Sequence, residues 1–109
     1  MAYTFKLKTK ANVGVSTVGI YTAPAATTTV VIGITMANTS GSGVNVGVGI
    51  TRAGTTEDVK LLKNAPIPQG SSLEFMAGNK IVLEATDTVT VDSDTNNSVD
   101  AALTIMEIT

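Results

Sequence analysis

Hydrophobic residues recur at every second position along most of this chain, the spacing that turns one side of a β-strand to a core and the other away from it. Tyr3, Phe5 and Leu7 alternate with Thr4, Lys6 and Lys8, which predicts a first strand carrying its lysines on one face. Val18 and Ile20 mark a short second strand. Ala23-Pro24-Ala25-Ala26 then interrupts the pattern, because proline cannot serve a central ladder. Val30, Ile32, Ile34 and Met36 form the most strongly patterned strand. After the turn cluster Asn38-Thr39-Ser40-Gly41-Ser42-Gly43, Val44, Val46, Val48 and Ile50 read as its return partner in a hairpin. Val59 and Leu61 begin a shorter strand that ends before Pro66-Ile67-Pro68-Gln69-Gly70. Leu73 with Phe75, and Ile81 with Leu83, flank Ala77-Gly78-Asn79 and predict another hairpin. Val89 and Val91 precede a polar loop from Ser93 to Ser98, and Val99, Ala101, Leu103 and Ile105 follow it.

Eight or nine short strands, turn signals roughly every 8–12 residues and no helical period predict an all-β fold. The expectation is a single β-sandwich or jelly-roll-like domain over residues 1–109, with about eight antiparallel strands. If Val30, Ile32, Ile34 and Met36 face the core with Val44, Val46, Val48 and Ile50, the opposite side of that hairpin is nearly bald. It shows Val31, Gly33, Thr35 and Ala37 beside Asn45, Gly47, Gly49 and Thr51, with no charge. Glycine inside a strand often marks the close approach of another backbone, and flat uncharged strands aggregate unless covered. This face reads either as a central hairpin buried on both sides or as a packing surface for a neighbouring subunit.

Charge sharpens the second reading. Between Lys10 and Arg52 the chain runs 41 residues without a charged side chain. Residues 1–56 hold four bases and no acid, and residues 81–109 hold six acids and no base. A soluble monomer ordinarily intersperses both signs. Lys6, Lys8 and Lys10 share one face, either guarding an edge strand or docking on an acidic surface such as the C-terminal third of another copy.

Composition removes most chemistries. The 109 residues contain no Cys and no His, so disulfides, Cys-type metal sites and the commonest general base are absent. With net charge −2 and four aromatic residues, no basic patch interleaved with stacking rings exists for nucleic acid. The N-terminus lacks an apolar stretch of signal-peptide length, and the run from Val30 to Ile34 is far too short for a bilayer, so the expectation is synthesis in a cytoplasm and no membrane partner. Asp92-Ser93-Asp94-Thr95-Asn96-Asn97 opens like a calcium loop, but Asn97 and Leu103 stand where such a loop needs Gly and Glu. It reads instead as a hairpin tip with Asx turns. Gly41-Ser42-Gly43 leads into strict alternation rather than a helix, so it is a turn and not a phosphate cradle. Glu84, Asp87 and Glu74 read as solvated strand and turn positions, and no Ser or Thr has an activating partner. No catalytic, cofactor-binding or metal residues are expected.

Several segments resemble small structural proteins of tailed bacteriophages. They are the stretch from Ile20 to Gly33 with Ala37-Asn38-Thr39-Ser40-Gly41, then Leu62-Lys63-Asn64-Ala65-Pro66-Ile67-Pro68, Lys80-Ile81-Val82-Leu83-Glu84 and Asp87-Thr88-Val89, and the ending from Ser98-Val99-Asp100-Ala101 to Ile105-Met106-Glu107-Ile108-Thr109. The resemblance implies a virion component of sandwich-like fold, present in many copies, with capsid or tail subunits and its own copies as partners. It implies no catalytic or ligand residues. Within that setting the expected roles are capsid decoration or cement, a neck or tail component such as an adaptor or fibre-attachment protein, or a carbohydrate-binding module for host attachment. The last predicts aromatic residues exposed on a sheet face or loops. The contact candidates are Lys6, Lys8 and Lys10, then Val31, Gly33, Thr35, Asn45, Gly47 and Gly49, and the loop carrying Pro66 and Pro68.

Overall fold

The computed structural model describes residues 2–75 and 80–109, all of them strand, turn or loop. The nine strands are β1 (Tyr3–Val13), β2 (Val18–Thr22), β3 (Thr28–Asn38), β4 (Val44–Arg52), β5 (Glu57–Ile67), β6 (Ser72–Phe75), β7 (Ile81–Leu83), β8 (Thr88–Ser93) and β9 (Val99–Ile108). One sheet runs β1-β9-β3-β6, with β7 also on β3, and the other runs β2-β8-β4-β5; the pairings are antiparallel. The chain is therefore doubled on itself. β1 meets β9, β2 meets β8, β3 meets β6 and β7, and β4 meets β5. Rolling such a ribbon into two layers gives a jelly roll.

The two expected hairpins do not form. β3 and β4 lie in different sheets, so residues 39–43 cross from layer to layer instead of reversing within one. Asn38 holds that crossing. Its buried side chain donates to the Ser42 and Ile67 carbonyls at 2.8 and 2.9 Å and accepts from the Ser40 N–H and hydroxyl at 2.9 and 2.8 Å. The bald face is thereby split: Gly33 and Thr35 sit on one outer side of the sandwich, Asn45, Gly47 and Gly49 on the other. β6 and β7 likewise do not pair with each other. Both run antiparallel to β3, β7 along Thr29–Val31 and β6 along Ile34–Ala37, so they follow one direction along the same side of β3. The predicted turn at Ala77-Gly78-Asn79 lies outside the described residues.

Val31 faces the core and not the outer side on which the alternation places it. The register of β3 on β9 steps from Val31↔Ile105 to Gly33↔Thr104, so β3 carries one extra residue there. This bulge reverses the alternation. Thr29 and Val31 point inward before it, and Ile34 and Met36 after it, all nearly inaccessible. Val31 is core, while Val30 and Ile32 are half-buried on the outer side. The core lies between the layers, where Val46, Val48, Val89 and Val91 of the four-stranded sheet meet Ile34, Met36, Leu83, Leu103 and Ile105 of the other. β5 runs past its expected end through Pro66 to Ile67. As an edge strand, it tolerates a residue with no N–H to give.

Candidate assembly surface

Partners across an antiparallel pair project to the same side of the sheet. In β9, Val99, Ala101, Leu103, Ile105 and Glu107 are buried, so their partners on β1 face the same way. Those partners are Lys10, Lys8, Lys6 and Thr4, opposite Ala101, Leu103, Ile105 and Glu107. The lysines are thus on the inner side of the sheet, past the short β2, and Tyr3, Phe5 and Leu7 are turned outward. Their exposures, 61%, 69% and 65%, are the reverse of what apolar alternation predicts for a buried face.

Register assembles the outward residues into rows. Phe5, Met106, Val30 and Val82 lie opposite one another across β1, β9, β3 and β7. Tyr3, Ile108 and Thr28 form the row beside it, and Leu7 and Thr104 the row on the other side, next to the bulge with Ile32 and Gly33. Strands about 4.8 Å apart and same-side residues about 6.8 Å apart make this an uncharged stripe of roughly 300 Å². Farther along the same face the side chains shrink. Thr9, Ala102 and Thr35 follow in line, and a hollow of about 350 Å³ opens between Thr9, Ala11, Thr35, Ala37 and Ala102, bordered by Lys10 and Asp100. Gly33 belongs here, and a Cβ built on it meets nothing within 4 Å.

The lysine row has an internal anchor. Lys6 Nζ lies 2.9 Å from Glu107 Oε1, and Tyr21 Oη donates to Glu107 Oε2 at 2.7 Å while sitting 2.8 Å from Thr29 Oγ1. The hydrogen bonds from Tyr21 and Lys6 outweigh burial and hold the Glu107 carboxyl below the usual carboxylate range, with Lys8 adding a weaker pull. Burial, aided by the carboxylate beside it, pushes the Tyr21 phenol up to about 12. The lopsided charge of the sequence is largely answered inside the fold. Lys6 meets Glu107, Arg52 meets Glu84 and Asp87, and Lys60 stands 3.9 Å from Asp92, each base drawing on an acid from the later half. The wrap that pairs early strands with late ones brings these charges together.

On the outer side of the four-stranded sheet, Gly47 and Gly49 are covered by this chain itself. A Cβ on Gly47 would stand 2.6 Å from Asp92 Oδ1, and one on Gly49 would stand 2.9 Å from the Val59 carbonyl and 3.1 Å from Thr90 Oγ1. Two register shifts in the β4–β5 pairing accompany this close approach. The glycines make room for neighbouring strands of the same sheet, and both are buried. Asn45 is exposed and pairs with the exposed Pro66, whose neighbour Ile67 is buried; Pro68 is exposed just beyond. The contact candidates therefore fall in three separate places, and only Gly33 and Thr35 share the apolar face. Sequence reasoning missed the stripe itself. The acid in the Asp92 loop is engaged by protein donors: Thr17 Oγ1 donates to Asp92 at 3.1 Å, and the Asn45 N–H and Thr95 hydroxyl donate to Asp94, each at 3.1 Å. No group of three acidic side chains positioned for a metal occurs among the described residues. No helix of the described residues is long and apolar enough to cross a membrane.

No protein-family model matches the sequence, and no curated protein does. Solved structures do match in fold. One, described as "Bacillus endospore appendages form a novel family of disulfide-linked pili", has TM-score 0.57 at 15% identity over 99% of this chain and 87% of that one. A chain of the cyanophage Pam1 capsid asymmetric unit has TM-score 0.57 at 17% identity over 95% and 85%. The VP2 subviral particle of infectious bursal disease virus gives TM-score 0.57 at 9% identity over 96% of this chain, which spans about a third (32%) of that protein. At these identities the likeness is one of fold: an all-β, two-sheet antiparallel architecture of the kind seen in viral capsid proteins.

Proposed function

We propose that this protein is a non-enzymatic bacteriophage virion structural protein, a capsid decoration or cement protein that binds the head in many copies after synthesis in the host cytoplasm. The observation that carries the reading is the outward stripe of Phe5, Met106, Val30 and Val82 with Tyr3 and Leu7, because the largest apolar patch on a monomer, commonly about 300–600 Å², is often a functional surface. Its size also bears on mechanism. A stripe of roughly 300 Å² is well under the roughly 800 Å² that one partner gives to a standard stable interface. Each contact is weak alone, and attachment gains its strength from many copies acting on a repeating surface. The likeness in fold to a chain of the Pam1 capsid unit supports the setting. The likeness to a pilus protein supports self-assembly more broadly, although this chain has no Cys with which to link subunits by disulfides.

Co-sedimentation with empty heads and with isolated tails of the parent phage tests the proposal. Saturable pelleting with heads, near one copy per capsid subunit or capsomer, is expected. Pelleting with tails alone, in small multiples, assigns the protein to the neck or tail. One observation favours a glycan-binding reading: Tyr3 and Phe5 are exposed on a sheet face, as a sugar platform requires. The row neighbours of Phe5, namely Met106, Val30 and Val82, have no side-chain N–H or O–H to offer a sugar, so that row suits an apolar protein surface better. Binding to host glycans without pelleting on particles would reverse that preference.

A further inference from the structure

Beyond the apolar face lies an open strand edge. Ala2 and Thr109 exchange both backbone hydrogen bonds, at 2.9 and 3.0 Å, and the β1–β9 register continues without a shift from Tyr3 to Lys10. Doubly bonded pairs recur at every second residue of an antiparallel ladder. Thr4, Lys6, Lys8 and Lys10 therefore turn their backbone groups to β9, and Phe5, Leu7 and Thr9 turn theirs to the open edge. β1 forms one end of its sheet. The other edges are blunted: β2 has five residues and a register shift, β5 has two register shifts and Pro66, and the described pairings of β6 and β7 with β3 cover only four and three residues. A long, regular, proline-free edge is a template for another strand.

The side chains define what that strand is. On the inner side, Lys6 is satisfied by Glu107, whereas neither Lys8 nor Lys10 makes an ion pair among the described residues. On the outer side stand Phe5 and Leu7. A second copy of β1 fits poorly. Of the antiparallel registers that keep the apolar faces continuous, those centred from Lys6 to Lys10 set lysine against lysine, and like charges directly opposite destabilise a pair. The register centred on Phe5 sets Lys8 against Ala2 and leaves Lys10 beyond the pairing, so neither lysine meets an acid. We infer that the β1 edge receives an extended segment of another protein in which acidic residues alternate with apolar ones, the acids facing Lys8 and Lys10 and the apolar side extending the Phe5–Leu7 stripe.

The test uses the whole protein, isotope-labelled for NMR, and two blocked synthetic peptides of about eight residues that alternate Glu or Lys with Val and Thr. The Glu peptide is expected to bind saturably, shifting and protecting the amides of Phe5, Leu7 and Thr9, and to weaken with added salt. The Lys peptide is expected not to bind. Lys8→Thr/Lys10→Thr should weaken the Glu peptide about tenfold, the product of two lost cross-strand charge pairs. Thr9→Pro removes one edge N–H without touching the β9 ladder or either lysine, and should weaken binding independently. It keeps the test decisive if the lysine variant does not fold. Failure of the Glu peptide to bind, equal binding of both peptides, perturbations confined to other strands, or concentration-dependent self-association through the Phe5, Leu7 and Thr9 amides would each overturn the inference.

Discussion

Replacing Phe5 with threonine separates an interaction surface from a structural core. A phenylalanine side chain presents roughly 200 Å². At 69% exposure, about 140 Å² of it remains in water and about 60 Å² is covered by this chain. At about 25 cal/mol per Å², the covered part contributes at most about 1.5 kcal/mol to folding, and the exposed part can contribute at most about 3.5 kcal/mol to a partner that covers it. The folding figure is a ceiling because the unfolded chain already hides some of that area. Threonine, through its β-branch, is also favoured in strands and leaves a methyl group at the site, so the expected loss of folding stability is about 1 kcal/mol or less. Loss of particle binding should reach tens- to a few hundred-fold per contact, and more where many contacts act together. Urea unfolding gives the first quantity and co-sedimentation with heads the second. A stability loss above about 3 kcal/mol with pelleting unchanged would show that Phe5 supports the fold and not an interface, and the argument from the stripe would fail.

The buried carboxylate gives a pH signature. Because the folded state holds Glu107 below its unfolded pKa, its contribution is present above about pH 4.3 and is lost as pH falls through the depressed folded value. Glu107→Gln should flatten that acid limb in denaturation curves taken from pH 7 to pH 2, and an unchanged limb would remove Glu107 as its cause. Tyr21 has the opposite sign. Its folded pKa of about 12 stands above the ordinary value of 10.0, so its contribution is complete below pH 10 and lost as pH rises toward 12. Tyr21→Phe should abolish that alkaline loss and cost about 1–3 kcal/mol at neutral pH by depriving Glu107 of a donor. Two glycines should part company in thermal melts. Gly49→Ala drives a Cβ to 2.9 Å from the Val59 carbonyl and should cost about 1–3 kcal/mol, whereas Gly33→Ala meets open space and should be neutral or stabilising by up to about 1 kcal/mol.

The alternation along the sequence located the nine strands to within a few residues of their ends, but alternation reports local shape and nothing more. Which sheet a strand joins is decided elsewhere. The cluster from Asn38 to Gly43 contains ordinary turn residues, and its use as a crossing depends on the Ile67 carbonyl, 29 positions away, accepting from Asn38. The inward side of β3 was misread because Val30, Val31 and Ile32 are three consecutive β-branched residues, so their alternation carries no phase across the bulge. β1 was misread for a different reason, and there the sequence held a clue. Glu107 continues the spacing of Val99, Ala101, Leu103 and Ile105, so one carboxylate stands in an apolar register and calls for a base on the strand beside it. Lys6, alternating with Tyr3, Phe5 and Leu7, supplies that base, and meeting it forces the aromatic side outward. The lysine face was legible as a unit, while the apolar surface beside it depended on pairings that no local pattern contains.

The pairing of β1 with β9 also sets the order in which this chain can fold. Tyr3 finds its partner at Ile108, nearly the full length of the chain away, and β9 stands between β1 and β3. Until β9 exists, β1 has no strand to join and one side of β3 is open, so the five-stranded sheet cannot assemble progressively from its first residues. Contacts of such long separation carry the full loop-closure cost before they return any stabilisation, and folding on the order of milliseconds to seconds is the expected consequence. During that interval the strand with Phe5 and Leu7 and the run from Val30 to Ile34 stay exposed together in every nascent copy. In a cell making many copies at once, the yield of folded protein depends on how quickly the last strand arrives to separate them.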